Sequence, residues 1–339
     1  MKECEETLKK NTLLEVKNVK KYFPVKDKNL FSSQKNYVQA VNNVSFSINE
    51  GETFGLVGES GCGKSTLARL IMGLIKADSG EINFQGRNFL DLRGSELRKS
   101  RKQMQMVFQK PYESLNPKMT VGQIISAPFD IHGVYSKQER LQKVKELLEM
   151  VGLSQQYINR YPHEFSGGQR QRIGIARAIA LNPKLVICDE AVSALDVSIQ
   201  SQILNLLNDL QKEFNITYLF ISHDLSVVKH VSDKIGVMYL GEMVEFGDAE
   251  TIYKNPKHPY TQALLSAIPI PDPTYKKERI ILEGDLPSPI NPPSGCRLST
   301  RCPYVMPNCK ESSPELTTLG TNHRVACHLF GESKLQKIN

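Results

Sequence analysis

The amino-acid sequence predicts an α/β fold with a mostly parallel core sheet flanked by helices. Three features of the 339-residue chain carry that prediction. A short apolar run, Phe54 to Val57, meets a glycine-rich loop and then a helix to Ile75, with apolar residues at Leu67, Leu70, Ile71 and Leu74, the i, i+3, i+4, i+7 stripe. Leu185 to Cys188 is continuously apolar, as in a strand covered on both faces of a parallel sheet, and Thr217 to Ile221 is read the same way. Leu13–Val19, Val44–Ile48 and Glu81–Phe84 read as strands of a separate antiparallel sheet.

The loop after Val57 organises the rest. It reads Gly58-Glu59-Ser60-Gly61-Cys62-Gly63-Lys64-Ser65-Thr66. Gly58, Gly61 and Gly63 let the backbone turn tightly and aim N–H groups inward. The helix that starts there turns its free N–H groups and the positive end of its dipole to the same hollow. Lys64 adds a mobile cation and Ser65 a hydroxyl. The pattern is G-x-x-x-x-G-K-[ST], a cradle for a triphosphate and its Mg²⁺.

Bulk properties narrow the function classes. The length suits two domains. No window approaches the ~18 consecutive apolar residues of a membrane helix. Met1 to Lys10 is polar, without the apolar centre of a signal peptide. The chain is therefore expected in the cytosol, meeting a membrane only through partners. A net charge of +7 is too mild to name a partner. Seven cysteines are unevenly placed: Cys4, Cys62 and Cys188 are scattered, while Cys296, Cys302, Cys309 and Cys327 gather near the end. In a reducing compartment that cluster points to metal or redox chemistry rather than disulfides.

In chain order, Tyr22 and Phe23 close the first strand, where an aromatic can stack on a purine base or simply finish an edge. Pro24 to Tyr37 is polar and lysine-rich, a surface loop. The basic run Leu97–Lys102 reads as a solvated face. Strand Met104–Phe108 ends at Gln109, placed to ligate Mg²⁺, to position a water, or to serve as a turn residue. Ser136 and Glu139 form a capping box for a helix to Leu153, with Leu141, Val144, Leu148 and Val151 as its buried stripe. Tyr157–Phe165 is a loop. Ser166-Gly167-Gly168-Gln169 opens a helix, Arg170–Ala180, that Asn182-Pro183 stops. Ser166 is a natural N-cap, and the glycines make either a second anion-facing helix end or an ordinary turn.

Asp189 and Glu190 follow the buried run at the sheet edge where α/β folds bind ligands. Adjacent carboxylates there are costly unless something binds them. Asp189 can hold Mg²⁺ through its water shell, and Glu190 can orient an attacking water. Ser193-Ala194-Leu195-Asp196 precedes a helix from Ser198 to Phe214. His223, after Thr217–Ile221, either contacts a terminal phosphate or caps the helix Leu225–Val231. Ile235–Leu240 and Glu242–Phe246 pair around Gly241. Seven prolines between Pro269 and Pro293 then forbid helix and imply an extended connection. The organisation expected is a core domain over 12–268, a linker over 269–293 and a cysteine-bearing region over 294–330.

These residues together are similar to the ATP-binding subunits of ABC transporters. The phosphate loop is Gly58–Thr66, the signature Ser166–Gln169, the buried acidic strand Leu185–Asp189, the glutamine loop Gln109, the loop before the next helix Ser193–Asp196 and the switch histidine His223. The order covers about residues 12–250. The resemblance implies a P-loop ABC-type nucleotide-binding domain with an antiparallel β subdomain and a helical subdomain at about 110–180. It implies ATP and Mg²⁺ as cofactors, Glu190 as catalytic base and His223 as γ-phosphate sensor. Ser65, Gln109 and Asp189 would bind Mg²⁺ directly or through water. The aromatic on the base would be Phe23, with Tyr22 the alternative. Ser166, Gly167, Gly168 and Gln169 would face the nucleotide of an opposite subunit, and Asp196 would be a further nucleotide-binding residue.

The stretches Met106–Pro111, Ser114–Pro117, Cys188–Ser198 and Asn255–Thr261, with the tail from Pro287 to Cys327, resemble the oligopeptide/dipeptide importers of the OppF/DppF type. That implies a second, OppD/DppD-like ATP-binding subunit, two transmembrane permease subunits, an extracytoplasmic peptide-binding protein and a peripheral place at the cytoplasmic face. Nickel chelates or other small solutes are the alternative cargo. Two departures stand out: Ala191 replaces the proline usual after the catalytic Glu, and Phe165 stands where many members have Leu.

Four thiolates spaced C-x5-C-x6-C-x17-C can hold zinc or a [4Fe–4S] cluster. Without the short pair usual in zinc ribbons, the spacing leans to the cluster, which some importers of this subgroup carry. A soluble ABC ATPase acting on nucleic acid or ribosomes is the rival class. The short interval from Lys64 to Ser166 leaves no room for a long coiled-coil insertion, and each motif occurs once, so no nucleic-acid partner is expected. An ATP-binding redox regulator without turnover is the third.

Overall fold

Why the chain breaks into elements where it does is visible at its helix starts. Ser136 accepts the Glu139 N–H while the Glu139 carboxylate accepts the Ser136 N–H, and Thr120 with Gln123 and Ser166 with Gln169 repeat the same reciprocal cap. The computed structural model describes residues 12–25, 36–269, 278–320 and 322–331. Met1–Lys10 with Cys4, most of the loop between Pro24 and Tyr37, and Pro271 and Pro273 of the proline-rich stretch lie outside the described residues.

The strands are β1 (Thr12–Pro24), β2 (Tyr37–Asn49), β3 (Thr53–Val57), β4 (Ser79–Phe84), β5 (Arg87–Asn88), β6 (Met104–Val107), β7 (Leu185–Asp189), β8 (Thr217–Ser222), β9 (Lys234–Tyr239), β10 (Glu242–Asp248), β11 (Leu316–Thr318) and β12 (His323–Ala326). Two compact units interleave along the sequence. The first comprises Met1–Leu13, Ile48–Thr53 and Phe84–Ile221; the second comprises Leu14–Ser47, Phe54–Asn83 and Ser222–Asn339.

In the first unit β6, β7 and β8 run parallel, with Met104 opposite Leu185 and Asp189 opposite Ile221. β7 and β8 are buried along their whole length, as the apolar runs Leu185–Cys188 and Tyr218–Ile221 predict. Three helices, Val121–His132, Lys137–Met150 and Gly167–Ile179, pack on one another. The stripe of the middle helix is Val144, Leu147, Leu148 and Val151, at i, i+3, i+4 and i+7. Leu141, expected in that stripe, is 49% exposed, because the buried face begins one turn later. The basic run lies on the helix Gly94–Gln103, which buries no residue.

In the second unit β3 is parallel to β9, and β9 and β10 form a hairpin. Its turn, Leu240-Gly241, has φ of +43° and +85°, the two left-handed residues that a tight hairpin with right-handed twist favours. β12 adds antiparallel to β10 and β11 to β12. β1 lies between β2 and β4. Stacked rings of Phe46, Phe54 and Phe246 fill the space beside β3 and β10. The helix after the glycine loop spans Lys64–Ile71, shorter than the stripe to Leu74 suggested; Gly73, with φ of +61°, turns the chain out and leaves Leu74 exposed.

A buried carboxylate knits the end of this unit. Glu245, fully enclosed on β10, accepts the N–H groups of Lys257 and His258 and pairs with His323 Nε2 at 2.7 Å. His258 accepts the Tyr260 N–H through Nδ1, which opens the helix Pro259–Ser266, and burial lowers its pKa to about 4.

Candidate nucleotide site

In the second unit the glycine loop leaves the end of β3 and is clasped by neighbouring backbone. A Cβ on Gly63, at φ of +106°, would stand 2.0 Å from the Ala40 carbonyl oxygen on β2. One on Gly58 would stand 2.2 Å from the Met238 oxygen on β9. Only glycine allows these approaches. The Gly241 N–H donates to the Cys62 carbonyl at 2.9 Å, so the β9–β10 turn grips the loop as well. Gly61, at φ of +79°, has nothing within 4 Å of a Cβ and marks the open side, where Ser60 is exposed too.

Lys64 is only 4% exposed. Its Nζ donates to the carbonyls of Gly58 at 2.7 Å and Glu59 at 2.9 Å, so the cation is held inside the loop. The Cys62 thiol faces the same ammonium; burial pushes its pKa up, and Lys64 offsets part of that. The helix Lys64–Ile71 begins with no side-chain cap and no acidic residue in its first turn, where Ser65 and Thr66 lie. A closed backbone, an enclosed cation and an uncapped helix start fit a polyphosphate.

Glu59 is held at three points. Its N–H donates to the Tyr260 hydroxyl at 2.8 Å, its carbonyl takes Lys64, and its carboxylate accepts from Arg301 Nη1 at 3.4 Å. The rings of Tyr239 and Tyr260 pack with centroids 4.6 Å apart, and Arg301 also reaches the Tyr239 hydroxyl. Arg297, likewise buried, donates to Glu242 Oε1, the Leu240 carbonyl and Gln39 Oε1. Glu242 Oε1 also accepts from Asn42, whose Oδ1 accepts from the Tyr22 hydroxyl. Tyr22 is thus tied down by its polar end, while the neighbouring Phe23 ring is 37% exposed with Lys21 over one face. Sequence reasoning missed Tyr260, Arg297 and Arg301 as neighbours of the loop; partners 201 and 242 residues away leave no local signal.

The first unit gathers the acidic edge. Asp189 is buried at the end of β7, and Gln109, just past β6, donates through Nε2 to the Glu190 carboxylate. Glu190 has φ of +49°, a left-handed conformation that costs a non-glycine residue about 1–3 kcal/mol. Its N–H donates to the Ile221 carbonyl, and its own carbonyl accepts the N–H and hydroxyl of Ser193. These bonds hold the turn that contains Ala191. Asp196 caps the helix Val197–Phe214 by accepting from the Ile199 N–H and the Ser198 hydroxyl, which lower its pKa. Ser166 and Gln169 cap the helix Gly167–Ile179; a Cβ on Gly168 would stand 2.4 Å from Ile199 Cγ2. Ser166 and Gly167 remain exposed. In the second unit, His223 is exposed between β8 and the helix Leu225–Val231, which Asp224 caps instead.

The cysteine expectation finds no support in the thiol geometry. Cys296, Cys309 and Cys327 are buried and Cys302 is partly so, and the Cys296 thiol lies close enough to feel the charge of the other three. Burial pushes Cys296 up to about 12 and Cys327 up to about 11. Yet among the described residues no group of three or more His, Cys, Asp or Glu side chains is arranged to hold a metal ion. The geometry therefore carries neither the [4Fe–4S] cluster nor zinc.

The sequence compares closely with known proteins. The ABC transporter family pattern matches residues 41–193, and the C-terminal region of oligopeptide/dipeptide transporters matches 244–309. Oligopeptide transport ATP-binding protein AppF of Bacillus subtilis is 57% identical, covering 94% of this chain and 98% of its own. Oligopeptide transport ATP-binding protein OppF of Escherichia coli is 53% identical, covering 94% and 96%. The dimeric ATP-binding cassette MJ0796 bound to ADP and Pi superposes with a TM-score of 0.62 at 31% identity, covering 70% of this chain and 99% of that one. The loop, the acidic edge and the capped signature thus sit in a chain that is alike over 94% of its length. It belongs to the ATP-binding proteins of ABC transporters, with the oligopeptide/dipeptide transporter C-terminal region, and is an ATPase.

Proposed function

We propose that this ATPase powers import of oligopeptides or dipeptides across the cytoplasmic membrane, bound at its inner face to two permease subunits. It works with a second ATP-binding subunit of related sequence and, through the permeases, with an extracytoplasmic peptide-binding protein. The observation that carries the reading is Lys64, enclosed by carbonyls of its own glycine loop with the helix start beside it. The peptide cargo rests on the relatives named for oligopeptide transport. No helix among the described residues is long and apolar enough to cross a membrane, which leaves translocation to partners. The domain reading keeps 12–268 as the ATP-binding domain, 269–293 as linker and 294–330 as the cysteine-bearing region.

In this reading the N–H groups of Gly58–Thr66 and the Lys64 ammonium hold the phosphates, and Phe23 stacks on the base. Ser65, Gln109 and Asp189 hold Mg²⁺, which when bound neutralises phosphate charge. Glu190 orients the attacking water, and Gln109, bonded to that carboxylate, keeps it aimed. His223 contacts the terminal phosphate. Ser166–Gln169 serve the nucleotide of the opposite subunit, so turnover needs closure of a dimer, and Asp196 is a further nucleotide-binding residue.

The test is uptake of labelled tri- to pentapeptides by proteoliposomes that hold this chain with the membrane proteins purified alongside it and ATP inside. Uptake lost with Lys64→Ala supports the reading. Nickel-chelate uptake without peptide uptake replaces the cargo. ATPase stimulation by RNA or DNA, with no membrane partner recovered, overturns the importer. The metal expectation at the four cysteines rests on spacing alone; iron and acid-labile sulfide in anaerobically purified protein decide it.

A further inference from the structure

Glu59 poses an electrostatic problem. It is an acidic side chain inside a loop built to receive an anion, one position after Gly58 and five before Lys64. A carboxylate there repels phosphate oxygens unless it is neutralised and turned aside. The second unit does both from its C-terminal end. Arg301 Nη1 lies 3.4 Å from Glu59 Oε2, and the Tyr260 hydroxyl fixes the Glu59 N–H at 2.8 Å. Both partners are well enclosed: Tyr260 is fully buried and the Arg301 side chain is 12% exposed. The Arg301 Nε is buried without a hydrogen-bond partner, so the chain bears a desolvation cost to keep that guanidinium where it is.

Arg301 is not loosely attached. It closes the short loop from Cys296 to Cys302, where the Ser299 N–H donates to the Cys296 carbonyl and the Arg301 N–H to the Leu298 carbonyl. The same loop sends Arg297 the other way, to Glu242 and Gln39 and so to Asn42 and Tyr22. One seven-residue stretch of backbone, Cys296–Cys302, is thereby anchored to both walls of the cradle.

We propose that Arg301 is a positioning residue of the nucleotide site: it cancels the charge of Glu59 and holds that carboxylate away from the phosphates, so that ATP affinity is set in part by the C-terminal region. Arg301 touches no reacting atom in this scheme and acts only through Glu59. The proposal rests on the reading of Gly58–Thr66 as the ATP loop.

The experiment is titration of the full-length chain with MgATP at low and high salt, with melting temperature followed in parallel. Arg301→Gln is expected to weaken MgATP binding about tenfold, roughly the effect of one pK unit of uncompensated charge, and less at high salt. Adding Glu59→Gln to that variant is expected to restore most of the affinity, because the offending charge is gone. A purely structural role for Arg301 predicts no such rescue. Arg301→Lys, which keeps the charge, is expected to stay within about threefold of the parent. Should Arg301→Gln fail to fold, Arg301→Lys and the double variant carry the test: a folded double variant that binds MgATP about tenfold more weakly than the parent overturns the inference. Unchanged affinity in Arg301→Gln, or no rescue by Glu59→Gln, overturns this inference alone. A parent protein that binds no MgATP overturns the ATP reading, and the inference with it.

Discussion

Glu59, in the phosphate loop, takes its tyrosine and arginine partners from 201 and 242 residues away, whereas Ser166, at the signature turn, bonds to Gln169 three residues on. The contrast holds across both regions. Gly58 and Gly63 are wedged against Met238 and Ala40, and Cys62 is gripped by Gly241. Asp196 and Ser166 each cap the helix that begins beside them. The loop is therefore fixed by the tertiary structure of its unit, whereas the signature takes its cap hydrogen bonds from its own few residues and meets a distant segment where Gly168 packs on Ile199. A binding cradle needs pre-set geometry before ligand arrives. A turn capped within four residues can keep its shape alone.

Changes in the two regions sharpen this contrast. The largest effect is expected from Glu190→Gln, which should lower phosphate release ~100-fold or more, the usual scale of a general base, while MgATP binding persists. Binding lost along with turnover would show that the acidic edge is needed for the cradle itself. Next comes Glu245→Ala, which strands two backbone N–H groups and His323 in the interior and should cost about 3 kcal/mol in urea unfolding. Gly63→Ala should cost about 2 kcal/mol and abolish MgATP binding, since its Cβ meets the Ala40 carbonyl. Ser166→Ala removes one local cap and should cost only about 1 kcal/mol, with MgATP affinity of the isolated subunit unchanged. A larger loss there than at Gly63 would break the comparison.

The gentlest change is expected with pH. His258 has a folded pKa of about 4 against an ordinary 6.5, so the unfolded chain takes up its proton first as pH falls. Stability from this group is full above 6.5 and is lost progressively towards 4, which thermal melts across that window would read.

The same division explains what could be read from the chain alone. Helix caps at Ser136 and Ser166, the glycine loop and the buried runs of β7 and β8 announce themselves because their causes lie within a few residues. The boundary at Ile71 and the exposure of Leu141 were misjudged because periodicity tells which face is apolar, not where its neighbours end. Arg301, Arg297 and Tyr260 were invisible as parts of the site because only the folded sheet brings β9, β10 and the C-terminal loop to residues near 60. The cysteine spacing suggests a ligand set, but among the described residues no group of side chains is arranged to hold a metal ion.

β12 and β11 have a further consequence. They cover β10, and the rim on that side of the described sheet is β11, three residues long. A chain cut before residue 316 would bare the edge of β10 at Glu245–Gly247, with open amides and carbonyls ready to zip onto another molecule. The tail that shields them thus also guards the protein against clumping, and shortened versions should precipitate where the whole chain stays dispersed.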